Sequence, residues 1–109
     1  MAAIHAEVRK QALAAAHTLS RLGTVRAAYV FGSQVEGRAD KWSDVDVAAF
    51  IEGVEDWDME RRAKAMVSVM EEVGANVEAH LFPATKLKAA ERGSFAEHVM
   101  KHGVCVLES

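Results

Sequence analysis

A chain of 109 residues and 11.9 kDa has room for one hydrophobic core, so a single domain over residues 1–109 is expected. Half of the residues are hydrophobic and 27% are charged, which argues against disorder, and a formal charge of -3 argues against a body that grips nucleic acid through its phosphates. The one cysteine, Cys105, excludes an internal disulfide framework and a Cys-rich zinc module.

The N-terminal run MAAIHAEVRKQALAAAH is broken by charge every few residues. It reads as neither signal peptide nor membrane span, and a cytoplasmic chain with no membrane partner is expected. Residues 4–22 read as a helix, with Ile4, Val8, Ala12, Ala15, Leu19 and Leu22 at three-to-four spacing and Gly23 as its C-cap. Residues 26–31 form a short apolar run that ends at Gly32-Ser33, which suits a buried strand turning into a helical turn. Residues 44–51 read as a second strand. Residues 57–73 read as a second long helix ended by Gly74, with Arg61, Arg62 and Lys64 on its wet side. Its Met59, Met66 and Met70 stripe is read as core packing, with a partner-facing groove as the alternative. Residues 76–82 alternate as a third strand stopped by Pro83. Residues 94–102 read as a helix capped by Ser94, and 104–107 as a final strand. The expected class is α/β or α+β, with a small mixed sheet of about four strands and some parallel pairing across the helical connections.

Chemistry concentrates in Gly32-Ser33, followed by ten residues and then Asp44-Val45-Asp46. Residues two apart on a strand share a face, so the two aspartates project together. Adjacent carboxylates repel unless a positive group lies between them, and oxygen ligands select a hard ion such as Mg²⁺. Alone, the pair is more readily a turn cap and a solvated residue. Gly32 lets a ligand approach the backbone closely, and the turn opening at Ser33 offers N–H groups to a phosphate. Together these are the parts needed for chemistry on a nucleoside triphosphate.

The run GSQVEGRADKWSDVDV resembles the signature of the DNA polymerase β-type nucleotidyltransferase superfamily, and in particular its small stand-alone members, the minimal nucleotidyltransferases. Gly32, Ser33, Gly37, Ala39, Ser43, Asp44 and Asp46 carry the match, and a weaker resemblance runs from Tyr29 to Val106. The resemblance implies a nucleotidyltransferase fold with helices packed on one face of the sheet. It implies transfer of a nucleoside monophosphate to a hydroxyl with two Mg²⁺ ions. It also implies a third carboxylate from a neighbouring strand, for which Glu78 is the best candidate. Asp44, Asp46 and Glu78 are then the expected metal ligands and catalytic residues, with Glu78 also able to accept a proton. Gly32, Ser33, Ser43 and Arg38 fall on the nucleotide side. Two departures stand out: Glu36 occupies a position where relatives often carry arginine, and Glu78 replaces a frequent aspartate.

His80 shares a face with Glu78, which leaves room for a role near the site, but a partly buried structural histidine is the simpler reading. His98 and His102 lie one helical turn apart with Cys105 close behind, and no further zinc ligand is in sight. Trp42 and Trp57 read as loop-side packing. A core of this size is expected to lack an acceptor-binding domain of its own, so its acceptor is expected on another protein. Small members of the family commonly act as antitoxins that add AMP from ATP to a HEPN-type toxin, and such a toxin is the expected partner. The alternatives are a binding module that silences a partner stoichiometrically, or one subunit of a transferase acting on a small molecule or RNA. Homo- or hetero-oligomers are compatible with each.

Overall fold

The structure is a computed structural model that describes residues 4–37 and 44–109. Its elements are α1 (Ala6–Ser20), β1 (Val25–Phe31), α2 (Ser33–Glu36), β2 (Val45–Ile51), α3 (Met59–Glu72), β3 (Val77–Pro83), α4 (Lys86–Ala89), α5 (Phe95–His102) and β4 (Val104–Glu108), with a 3-10 turn at Val54–Asp56. The four strands form one sheet in the order β3-β2-β1-β4. β1 runs antiparallel to both β2 and β4, whereas β2 and β3 are parallel and joined through α3. A parallel pair needs such a crossover, and the long helix between two apolar strands supplies it. No helix among the described residues is long and apolar enough to cross a membrane.

Strand alternation divides the core. On the first face Ala28 lies with Val30, Val47 and Ala49 under the long helices. Val8, Ala12, Ala15, Ala16 and Leu19 form the buried stripe of α1, and Ala65 and Val69 that of α3. Alanines on both sides let helix and sheet approach closely. The second face presents Ala27, Phe31, Ala48 and Phe50, and α5 covers part of it with Ala96 and Val99. The two long helices thus share one face, while α5 leans on the other.

Four local readings change with the structure. Gly23 does not cap α1 in a left-handed conformation. A Cβ there would lie 2.8 Å from Trp57 Cζ2 and 3.0 Å from Ile51 Cγ2, so the glycine makes room for the buried indole of Trp57. α3 starts at Met59 because Asp58 caps it, accepting the Arg61 N–H at 2.8 Å. Arg61 and Arg62 are not merely wet. The Arg61 guanidinium lies 4.0 Å from the Trp57 ring centroid, and Arg62 donates to the carbonyls of Val54 and Trp57. Finally, the methionine stripe is not a core stripe: Met66 packs against the core, but Met59 is 86% and Met70 44% exposed.

Candidate active site

β1 ends on Phe31, and the chain turns at Gly32 with φ 80 and ψ -148 before α2 begins. The Gly32 carbonyl accepts the N–H groups of Val35 and Glu36, closing the turn. A Cβ on Gly32 would fall 2.8 Å from Asp46 Oδ2. The glycine is thus needed twice, for its backbone conformation and because the Asp46 carboxylate lies against it.

Asp46 stands on β2 opposite Phe31 of β1 and beside Glu78 of β3. All three strands direct these side chains to the face away from the long helices. His80, two residues after Glu78, places Nε2 3.2 Å from Asp46 Oδ1 and 3.9 Å from Glu78 Oε1. One ligand atom from each of Asp46, Glu78 and His80 lies within 4.8 Å of the other two. The His80 ring is held edge-on against Phe31, with centroids 4.9 Å apart. Phe95, at the start of α5, meets Phe31 edge-on at 5.3 Å and stays half exposed. A hydrophobic wall therefore fixes the imidazole while its nitrogen faces the carboxylates.

Among the described residues no Lys or Arg pairs with Asp46 or Glu78; the ionic neighbour they share is His80. Two carboxylates side by side without a fixed cation favour a bound divalent ion. Ligand atoms bonded at about 2.1 Å lie about 3 Å apart at a right angle and farther apart at wider angles, so the separations from His80 fit joint coordination. The donor set of two oxygens and one nitrogen accordingly fits a divalent metal.

The expected residues are distributed unevenly. Asp46 and Glu78 come together. Asp44 lies just before β2, exposed, with its backbone carbonyl accepting from Gln34 Nε2 at 3.3 Å, and its carboxylate is not part of the three-residue group. Gly32 and Ser33 flank the group from the end of β1. Arg38 and Ser43 lie outside the described residues, as does Trp42. His80, which sequence reads most simply as structural, is the residue the site gains; its period-two relation to Glu78 is the signal that pointed to the site. His98 and His102 face each other with ring centroids 4.8 Å apart, but join no third ligand among the described residues.

A recess of about 280 Å³ opens beside His80 at the outer edge of β3, lined by Arg62, Met66, Phe82 and Phe95 among others. A larger cavity of about 550 Å³ lies at the other end of β2, between Arg26, Glu52, Lys88 and Ser109. Size does not locate the chemistry here: the larger cavity contains none of the Asp46, Glu78 and His80 group.

The chain is similar in fold to a candidate nucleotidyltransferase of Sulfolobus solfataricus, known from a crystal structure. The two share 15% identity with a TM-score of 0.51, over 93% of this chain and 86% of that one. No curated protein matches the sequence significantly. The model of the family described as "Polymerase beta, Nucleotidyltransferase" matches residues 14–109, a span that holds the Gly32 turn, both aspartates and Glu78. With that match over most of its length, the chain belongs to the polymerase beta nucleotidyltransferase family.

Proposed function

We propose that the protein moves AMP from ATP to a hydroxyl of a partner protein, as the antitoxin of a HEPN-type toxin. The observation that supports this reading best is the parallel register that sets Glu78 directly beside Asp46, next to the Gly32 turn. Phosphates would lie along the turn at Gly32 and Ser33, where the backbone can be approached closely. Asp46 and Glu78 would hold Mg²⁺, and Asp44, whose carboxylate lies outside their group, would have to turn toward the ion to join them. When bound, the ion neutralises triphosphate charge and makes the attacking hydroxyl more acidic. Glu78, the more exposed carboxylate, would accept that hydroxyl's proton. The hydroxyl oxygen then bonds to the α-phosphorus, the bond to the β-phosphate bridge breaks, and pyrophosphate leaves. Positioning and charge neutralisation supply most of the rate in such transfers, so a small scaffold suffices.

The test is incubation with the toxin encoded beside this protein, ATP and Mg²⁺, followed by intact-mass measurement. A mass gain of one or more AMP units on the toxin is expected, and its loss for Asp44→Asn combined with Asp46→Asn. No mass gain with any nucleotide would refute the transferase reading. If the double variant still silenced its partner at full strength, the protein would be a stoichiometric binding module instead.

A further inference from the structure

We infer that His80 is a metal ligand, and that the seat formed by Asp46, Glu78 and His80 prefers first-row transition ions such as Mn²⁺ and Co²⁺ over Mg²⁺. The inference deepens the transferase reading by naming the class of ion at that site, and it rests on that reading only for what the ion does there. Ion binding itself needs no nucleotide.

The geometry carries the argument. His80 could have pointed its ring nitrogen to solvent; it is instead turned inward, with Nε2 at 3.2 Å from one carboxylate and 3.9 Å from the other. The edge-on contacts with Phe31 and Phe95, at centroid separations of 4.9 and 6.4 Å, hold the ring in that orientation. All three donors come from adjacent β2 and β3, whose parallel register fixes Asp46 against Glu78 and leaves His80 one pleat further along the same face. Strand-borne ligands are held more firmly than loop-borne ones, so the donor set is built before an ion arrives. Asp44, which would have made the set all oxygen, does not enter this group.

Donor chemistry then decides the ion. Mg²⁺ requires near-ideal octahedral oxygen coordination and gives up its waters reluctantly. An imidazole nitrogen suits first-row transition ions, whose affinity for nitrogen-containing sites rises from Mn²⁺ towards Co²⁺ and beyond. Replacing one carboxylate by imidazole also removes a negative charge from the seat. That loss weakens the hold on a hard ion bound by electrostatics alone more than on one that also bonds to nitrogen.

The experiment uses the full chain carrying His98→Ala and His102→Ala, which removes the histidine pair on α5 as a competing site. Mn²⁺ and Mg²⁺ are titrated separately by calorimetry, without nucleotide. Electron spin-echo modulation on the Mn²⁺-loaded protein then reads directly bound ¹⁴N. Tighter binding of Mn²⁺ than Mg²⁺ by about ten-fold or more is expected, with one coordinated nitrogen that disappears in His80→Ala. Equal affinities, or no directly bound nitrogen in the protein that keeps His80, would overturn the inference. The spectroscopic result stands even if His80→Ala fails to fold. Nitrogen-ligated Mn²⁺ without AMP transfer would sink the proposed function and leave this inference intact; AMP transfer with an all-oxygen ion would do the reverse.

Discussion

Replacing Gly32 by alanine separates backbone strain from the contact that builds the site. Gly32 holds φ 80 and ψ -148, close to a region that residues with a side chain enter at about 1–3 kcal/mol. The new Cβ would also stand 2.8 Å from Asp46 Oδ2, so the carboxylate must rotate or the turn must open. A total loss of about 2 kcal/mol is expected, equivalent to a fall in Tm of roughly 10 °C for a domain of this size. Urea unfolding followed by circular dichroism measures it. The same substitution in an Asp46→Ala background meets no carboxylate and should be milder by about 0.5 kcal/mol or more. Identical losses in the two backgrounds would refute the claim that Gly32 is shaped around Asp46. A loss below about 0.5 kcal/mol in the parent would refute the strain argument as well.

Two further substitutions probe the scaffold. Asp58→Ala removes the cap that accepts the Arg61 N–H at 2.8 Å, and should lower stability by about 1 kcal/mol in the same urea assay, whereas Asp58→Asn should be nearly neutral. The Glu72 carboxyl is held below its usual range chiefly by the hydrogen bond from Arg21, with burial opposing and Thr18 assisting. Because its folded value lies below the unfolded one, its stabilisation is complete above the ordinary carboxylate range and is lost as pH falls through the folded value. Glu72→Gln should therefore flatten the acid side of the stability profile and leave its slope near neutral pH unchanged; an unaltered acid limb would contradict the assignment.

The candidate site is partly legible in the sequence, and β3 shows where legibility stops. Alternation along NVEAHLF puts Glu78 and His80 on one face, and the register with β2 then sets Glu78 beside Asp46. A histidine next to buried residues is usually structural, and nothing local reveals that the His80 ring nitrogen turns toward a neighbouring strand. Asp44 is the converse. Period two places it with Asp46, but it precedes the first paired residue of β2, Val45, so the pleat does not constrain its side chain in the same way. The methionines of α3 diverge from their pattern for a related reason: helical spacing marks a stripe, but the side of α3 that meets the core carries Ala65 and Val69.

By itself the sequence determined the four strands, the longer helices, their order and the faces of the strands, though not the short α4, because backbone propensity and side-chain periodicity act over a few residues. It also carried the Gly32-Ser33 and aspartate spacing that marks the family. Tertiary structure alone decided which strand became the neighbour of β2, which donors converged and which apolar residues stayed exposed. Those outcomes depend on contacts between segments far apart in the chain, where the register of one strand against another, and not the pattern within either, sets the distance between side chains.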